Sequence, residues 1–262
     1  MRDVDDTPRP PLPGHGRAGA DVITSLRNPL VMDVVALHRP KERRRRAQTL
    51  LEGPQLVGEA LASGVQPTLL LTLERTRWLG AADRVLEVDH AVLTKVATTR
   101  TAQDPVAVVA IPDPVPPVGD LRLLMWGVSD PGNAGTLIRS AAAFGAGVVI
   151  GGRGSVDPWA PKVLRAAAGA HFRVPIAVVD EPAAAWEGTT SVALVVAGGV
   201  APSEVPPGPV TVVVGAEAAG LPEELVAACA LRCTIPMPGG TDSLNVAVAG
   251  SIALHALATR GG

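Results

Sequence analysis

The sequence predicts an α/β fold: a C-terminal, mostly parallel sheet with helices on both faces, preceded by a smaller α/β domain. Short apolar runs, each as long as a buried strand, alternate with helix signals through residues 120–260. Residues 111–119 contain four prolines in nine positions. Because proline cannot donate to a helix or a strand ladder, this segment is predicted to be a linker between the two domains.

The composition is that of a folded protein. The chain has 262 residues, of which 47% are hydrophobic and 18% are charged, and this excludes global disorder. No apolar run reaches the roughly 18 residues of a membrane span, and no secretory signal is evident, so a cytoplasmic protein is expected. Four Trp, two Phe and no Tyr argue against single-strand binding by many stacked rings.

The first half of the chain is predicted to contain a flexible tail at 1–20 and a small domain at 21–110. The predicted helices of this domain are 28–37, 41–51 and 55–62, and its predicted strands are 68–72, 85–88 and 106–110. The run Arg39-Pro40-Lys41-Glu42-Arg43-Arg44-Arg45-Arg46 holds six cations and one anion. Such a run is typical either of a solvated helix face or of a nucleic-acid contact.

The second domain is predicted at 120–262. Its predicted strands are 121–128, 148–150, 176–179, 192–197, 210–214 and 232–235, and its predicted helices are 133–144, 158–168, 222–228 and 243–258. In sheets of this type, ligands bind beyond the carboxyl ends of the strands. The loops that follow the strands are therefore the places to look for a site, and three of them carry unusual residues.

The first loop follows strand 121–128 and leads into a helix. Asn133 is predicted to be the N-cap of that helix. Leu137 and Ile138 recur at helical spacing and should face the core, which places Arg139 off the apolar stripe. Taken alone, Asn133 also fits a helix cap that has no role at a ligand site. Arg139 likewise fits an ordinary helix arginine that is exposed to solvent.

The second and third loops follow strands 210–214 and 232–235. In the second, Gly215 and Gly220 allow close backbone approach to a ligand, and Glu217 is the lone charge between them. Taken alone, Glu217 also fits a surface carboxylate that has no role at a ligand site. In the third, Ser243 is predicted to cap the final helix, with Asn245 in the first turn. A helix N-terminus suits a carboxylate or phosphate, although an ordinary capped helix fits the same residues.

Together, and in this order, the three loops resemble the three motifs of the SpoU/TrmH family of SPOUT RNA 2′-O-ribose methyltransferases. The matching segments are Asp130-Pro131-Gly132-Asn133-Ala134-Gly135 with Arg139, Gly215-Ala216-Glu217-Ala218-Ala219-Gly220-Leu221, and Ile235-Pro236-Met237 with Ser243-Leu244-Asn245-Val246. The sequence departs from the family pattern at Ala216, often Asn or Ser, and at Ala247, often Ser. Residues 21–110 resemble the substrate-binding domain of the two-domain members.

The resemblance implies a trefoil-knotted second domain, S-adenosyl-L-methionine as cofactor, and a homodimer formed through that domain. It implies ribosomal RNA as substrate, because the minimal tRNA-modifying members lack the first domain. A tRNA 2′-O-methyltransferase and a catalytically inactive RNA-binding member stay open as alternatives. No metal is expected, since the leaving group is a neutral thioether and Cys229 and Cys233 lack further ligands nearby.

The resemblance also assigns roles to residues, with Arg139 either a base or a stabiliser of the phosphate and the developing alkoxide. The expected catalytic residues are Arg139, Asn133, Glu217, Ser243 and Asn245. The expected cofactor-binding residues are Gly215, Ala216, Glu217, Gly220, Ile235, Met237, Ser243 and Leu244. The expected RNA-binding residues are Arg39, Lys41, Arg43, Arg44, Arg45 and Arg46.

Two other enzyme classes are disfavoured by missing motifs. A nicotinamide-dependent dehydrogenase should carry G-x-G-x-x-G after a strand, whereas Gly145-Ala146-Gly147 lacks the third glycine. A serine hydrolase should carry the G-x-S-x-G elbow, which does not occur in the sequence.

Overall fold

The first domain is built on a four-stranded mixed sheet. A computed structural model of the chain describes residues 22–240 and 242–260, so the predicted tail at 1–20 lies outside the described residues. The strand order is β1-β4-β2-β3, and only β2 and β3 run parallel to each other. The strands are β1 (Gln48–Glu52), β2 (Leu69–Thr72), β3 (Val85–Glu87) and β4 (Val106–Ala110).

Helices cover both faces of this sheet. They are α1 (Pro29–Ala36), α2 (Pro40–Arg46), α3 (Pro54–Ala62) and α4 (His90–Val96). Helices α1 and α4 pack on one face through Val34 and Val92, and α3 packs on the other through Val57. The helix expected at 41–51 is wrong in its second half. The chain turns at Ala47, which has a φ of 48°, and the following residues pair with β4 as a buried strand.

The second domain contains a six-stranded, all-parallel sheet of order β10-β8-β9-β5-β6-β7. The strands β9 and β5 lie at its centre and are almost wholly buried, which explains their continuous apolar sequence. The parallel sheet expected from the sequence is confirmed. The strands are β5 (Leu121–Met125), β6 (Val148–Gly151), β7 (Ile176–Val178), β8 (Thr190–Leu194), β9 (Val210–Val214) and β10 (Leu231–Cys233).

Helices also cover both faces of the parallel sheet. Along β5, Leu123 and Met125 point into one apolar cluster and Leu124 into another, as strand alternation requires. The first cluster is shared with α5 (Pro131–Ala143), α6 (Pro161–Ala166) and α9 (Val246–Ala258), and the second with α7 (Ala183–Trp186) and α8 (Glu223–Ala228). The knot stays a prediction, because strand order does not determine how the chain end is threaded.

The two domains share one apolar core and a polar junction. Leu51 and Val57 of the first domain belong to the same cluster as Leu164 of α6. At its edge, the Thr49 hydroxyl donates to the carbonyl oxygen of Trp159 at 2.7 Å. A second contact joins the Arg165 guanidinium to the Glu52 carboxylate at 3.7 Å. The linker begins at this junction and does not hold the domains apart.

Candidate active site and cofactor cavity

Three side chains from three separate segments of the chain meet beyond the carboxyl ends of the central strands. The Glu217 carboxylate accepts hydrogen bonds from the Asn133 side-chain amide and from the backbone N–H of Asp130, both at 3.1 Å. The Asn245 side-chain amide in turn donates to the Asn133 side-chain carbonyl at 3.0 Å. We call this chain of hydrogen bonds the Glu217–Asn133–Asn245 cluster. It brings together three of the five residues expected to be catalytic.

The charge of Glu217 is supported by its surroundings. Burial alone would raise the pKa of this carboxyl group, but hydrogen bonds from Asn133 and from the backbone of Asp130 and Ser129 outweigh it and lower the pKa. The carboxyl group is therefore ionised at neutral pH, and it anchors the negative end of the cluster.

Two expected helix caps are wrong, and the true caps explain the cluster. Asp130 caps α5, because its carboxylate accepts the backbone N–H of Asn133 at 2.9 Å. The Asn133 side chain is then free to reach Glu217. Asn245 caps α9, and its side-chain carbonyl accepts the N–H of Ala247 at 2.9 Å. Ser243 therefore precedes the helix and is exposed.

A cavity of about 260 Å³ lies beside the cluster, close to the roughly 300 Å³ of the smaller ligand pockets. The structure brings together all eight expected cofactor-binding residues around it, and Ser243 lines it as well as Leu244 and Glu217. The sequence interpretation missed Leu194, the last residue of β8, and Val195 and Val196, which follow it. Because β8 lies between β9 and β10, the rule on strand ends could have identified them.

The loop after β9 is closed on itself, and its glycines make the closure possible. Ala216 and Gly220 exchange backbone hydrogen bonds at 3.0 and 2.9 Å. A Cβ at Gly215 would lie 2.5 Å from the carbonyl oxygen of Gly220, and Gly220 itself has a φ of 67°. The loop therefore presents backbone groups and Glu217 to the cavity at close range, next to the apolar side chain of Met237.

These surroundings fit S-adenosyl-L-methionine. Backbone donors and acceptors next to apolar side chains suit an adenosine moiety, and Gly215 allows the loop to close so tightly that its backbone lines the cavity. Of the two departures from the family pattern, Ala216 lines the cavity, whereas Ala247 is buried on the inner side of α9.

Arg139 does not join the cluster within one chain. It lies six residues after Asn133 on α5, so the two side chains leave the helix in directions about 120° apart around its axis. The side chain is exposed, does not line the cavity, and makes no hydrogen bond to the other described residues. It faces outward on the helix layer that also exposes Val248 and Ile252 of α9, which are 47% and 40% exposed.

The basic run divides into cations with partners and cations without them. Arg43 is only 2% exposed and its guanidinium contacts the Asp157 carboxylate at 2.6 Å, so its assignment to RNA binding is wrong. Arg45 and Arg46 both contact Glu42, at 2.6 and 3.2 Å. Among the residues that the structure describes, three cations of the run have no ion-pair partner and are exposed: Arg39, Lys41 and Arg44.

Neither a cluster of potential metal ligands nor a membrane-spanning helix occurs in the described part of the chain. Residues 22–240 and 242–260 contain no group of three potential metal ligands. Burial raises the pKa of the Cys229 and Cys233 thiols to about 11, so both are protonated at neutral pH. Within the same residues, every helix is too short or too polar to span a bilayer.

Two family models match the chain. The model of the SpoU rRNA methylase family matches residues 120–255, and that of the MRM3-like substrate binding domain matches residues 28–107. The 23S rRNA (guanosine(2553)-2′-O)-methyltransferase RlmP of Bacillus subtilis is 34% identical over 245 residues, which cover 90% of this chain and 98% of that protein.

Solved structures agree with these matches. An AdoMet-bound rRNA methyltransferase from Sinorhizobium meliloti superposes with a TM-score of 0.80 at 32% identity, covering 91% of this chain and 97% of that one. The AdoMet complex of the SpoU methyltransferase AviRb from Streptomyces viridochromogenes gives a TM-score of 0.76 at 26% identity, covering 88% and 97%. The chain therefore belongs to the SpoU rRNA methylase family.

Proposed function

We propose that this protein transfers the methyl group of S-adenosyl-L-methionine to a ribose 2′-hydroxyl of ribosomal RNA. The Glu217–Asn133–Asn245 cluster beside the cavity carries the proposal, because it joins three distant segments at one ligand-sized space. The relatives support it: RlmP is named as a ribosomal RNA 2′-O-methyltransferase and matches both domains. A cytoplasmic location is part of the same proposal, and fluorescence imaging of a tagged chain tests it.

The cavity residues hold the cofactor. Bound S-adenosyl-L-methionine supplies an electrophilic methyl group whose departure leaves a neutral thioether. Backbone groups of Gly215, Ile235 and Leu244 bind its polar edges, and Met237 covers its apolar surface. Ser243, exposed at the cavity, hydrogen-bonds either the cofactor or the ribose.

The cluster orients the nucleophile. A ribose hydroxyl is a very weak acid, so the rate depends on placing its oxygen in line with the methyl group and on stabilising the developing negative charge. Asn133 and Asn245 are held in fixed orientations and position the ribose. Arg139 binds the adjacent phosphate and stabilises the developing alkoxide, because an ordinary guanidinium stays protonated and cannot act as a base. The hydroxyl proton passes to solvent water as the ribose oxygen accepts the methyl group.

Arg139 completes the site from a second copy of the chain. Helices α5 and α9 pack side by side, and the Ser140 and Ser251 hydroxyls are hydrogen-bonded at 2.6 Å. Their outward face combines Arg139 with the exposed apolar side chains of Val248 and Ile252. A homodimer through this face covers the apolar side chains and carries each Arg139 towards the other copy.

The experiment measures methyl transfer from tritiated S-adenosyl-L-methionine to ribosomal RNA prepared from cells that lack the protein. Arg139→Ala should abolish transfer and leave cofactor affinity, measured by calorimetry, unchanged. The matched control is Arg232→Ala, which removes an exposed arginine from the edge strand β10. Normal turnover by Arg139→Ala would remove this residue from the mechanism.

Two further outcomes separate the alternatives. Wild-type protein without affinity for S-adenosyl-L-methionine would be an RNA-binding protein without catalysis, and methyl transfer to tRNA but not to ribosomal RNA would make tRNA the substrate.

A mixture of two inactive variants tests the dimer. Mixing Arg139→Ala with Glu217→Gln should restore part of the activity if Arg139 acts on the partner's site. Mixtures without activity, or a wild-type monomer in sedimentation, would contradict the dimer.

A further inference from the structure

A second cleft, of about 420 Å³, lies at the junction of the two domains. It is bounded by the end of α2, by the start of the proline-rich segment, by the loop between β6 and α6, and by the edge strand β7. None of the residues expected to bind the cofactor lines it. We call it the junction cleft.

The walls of the junction cleft are mainly apolar. Pro112, Pro114, Val156 and Ile176 line it, together with Val178, which is 64% exposed although it belongs to a strand. An exposed apolar patch framed by polar groups is typical of a binding surface. Such apolar walls suit the face of an unstacked nucleobase.

The charges of the cleft suit the other parts of a nucleotide. Arg43 and Asp157 line it but neutralise each other at 2.6 Å. Arg44 is exposed and has no ion-pair partner within residues 22–240 and 242–260, so its guanidinium is available to a phosphate. Asp113 provides a carboxylate that can accept an N–H from the edge of a base.

A single loop separates the junction cleft from the candidate active site. Ser155, which lines the cleft, accepts a hydrogen bond from the Val128 N–H at 3.2 Å and donates to the Met125 carbonyl at 2.8 Å. The residue after Val128, Ser129, donates from its backbone to Glu217 at 3.4 Å. The loop is thus bonded to the strand end that carries the cluster, so that the junction cleft and the candidate active site lie on the same edge of the parallel sheet.

We propose that the junction cleft binds an unstacked nucleotide of the RNA substrate, close in the same strand to the nucleotide that is methylated. Arg44 holds its phosphate, the apolar walls pack on its base, and Asp113 accepts a base N–H. This inference rests on the proposed function and deepens it, because the cleft would select RNA in which a nucleotide near the target is unstacked.

The test uses the full-length protein and ribosomal RNA transcripts that contain 4-thiouridine. After irradiation and nuclease digestion, cross-linked peptides should include the segments at 111–114 and 176–178. Val178→Glu should weaken RNA binding about tenfold by removing base packing. Arg44→Ala should lower the slope of log affinity against log salt by about one, because one phosphate contact is lost.

The matched controls are Arg232→Ala, an exposed arginine of the edge strand β10 outside the cleft, and Leu79→Glu, a 63% exposed apolar residue elsewhere in the first domain. Cross-links confined to other segments, or cleft variants that bind RNA like their controls, would overturn the proposal. Methyl transfer by the wild-type protein is measured on the same preparations. Its absence counts against the proposed function, while the cross-links still decide the cleft.

Discussion

At the residue scale, the amides of Asn133 and Asn245 each have one orientation that satisfies their neighbours. The Asn245 carbonyl is used in capping α9, so its amide must face Asn133. The Asn133 carbonyl then faces Asn245, and its amide faces Glu217. Because the Glu217 carboxylate can only accept hydrogen bonds, it fixes the orientation of the Asn133 amide and, through it, that of the Asn245 amide.

Replacing Glu217 by Gln tests this dependence. The Gln oxygen can still accept from Asn133 and Asp130, but the new NH2 group then faces the backbone N–H of Ser129, and the cluster loses the negative charge that attracts its donors. We expect the turnover number for RNA methylation to fall on the order of 100-fold through misplacement of the ribose. Glu181→Gln, a change at an exposed carboxylate, should keep the wild-type rate. A Glu217→Gln enzyme as fast as this control would contradict the role of the cluster.

His171 makes stability depend on pH. It is 5% exposed, and its Nε2 lies 2.8 Å from the carbonyl oxygen of Pro158. Burial lowers its pKa to about 4, with the Pro158 hydrogen bond and the Asp157 charge opposing the shift. As pH falls from 6.5 to 4, His171 binds a proton in the unfolded chain but stays largely neutral in the folded protein. The free energy of unfolding should fall on the order of 3 kcal/mol through this group.

Urea unfolding at pH 7 and pH 4.5 measures the effect of His171. His171→Gln removes the titrating group, so its free energy of unfolding should decrease less between the two pH values than that of the wild-type protein. Other groups titrate equally in both proteins and cancel in the comparison. Equal decreases would show that His171 does not carry the pH dependence.

The sequence predicted which residues form the cluster but not how they are held. Asn133 was expected to cap a helix, and it instead bonds to Glu217, because Asp130 takes the cap. Such choices depend on which loop lies opposite, and the partner is 84 residues away in the chain. Arg43 shows the same limit, since its partner Asp157 lies 114 residues further on.

At the scale of elements, α5 is held between α6 and α9, and its small residues allow this packing. A Cβ at Gly135 would lie 2.8 Å from the backbone carbonyl carbon of Ala166 in α6. This backbone atom cannot move aside as the end of a flexible side chain could. A Cβ at Gly250 of α9 would press on Leu137 of α5. The start of α5, with Asn133, is therefore positioned by its neighbouring helices.

Gly135→Ala tests this positioning. Overpacking should lower the free energy of unfolding by about 1–3 kcal/mol. It should also reduce RNA methylation, because a displaced α5 moves Asn133. Gly58→Ala in α3 is the control, since its Cβ would meet nothing within 4 Å, and better helix propensity should stabilise the protein by about 0.5–1 kcal/mol. Denaturant unfolding and tritium transfer measure both, and a Gly135→Ala protein with wild-type stability would contradict the packing.

Elements were predictable where a local pattern decided them. The strands of the parallel sheet are apolar runs, and β9 (Val210–Val214) has the bounds that were expected. Strand β1 was missed, because it follows an arginine-rich helix directly and exists through its pairing with β4. Helix α4 was also missed, although Asp89 caps it and Val92 and Val96 recur at helical spacing.

At the scale of the whole molecule, the buried contact of Arg43 with Asp157 joins the domains. Arg43 also donates to the carbonyl oxygens of Leu37 and His38, at 3.1 and 3.0 Å. Arg43→Ala would leave these acceptors and a carboxylate without their donor. The free energy of unfolding should fall by about 3 kcal/mol, as when one partner of a buried pair is removed.

Urea unfolding compares Arg43→Ala with Arg45→Ala, the exposed arginine of the same helix, which should change stability little. Equal unfolding curves for the two variants would show that the junction contact does not stabilise the fold.

The two-domain organisation could be predicted from the prolines of residues 111–119. The junction could not be predicted, because its charge pairs join residues that no local pattern connects.

The apolar cluster that crosses the junction constrains how such proteins can be recombined. A chimera that takes residues 28–107 from a relative must fill the spaces around Leu164 of α6 and meet Trp159 with a matching hydrogen-bond donor. Grafting the first domain alone leaves the two surfaces of the domain junction mismatched. Grafting it together with the loop and helix at 152–166 transfers both surfaces of the junction. The first domain and the loop and helix at 152–166 therefore form one packing unit across the domain boundary.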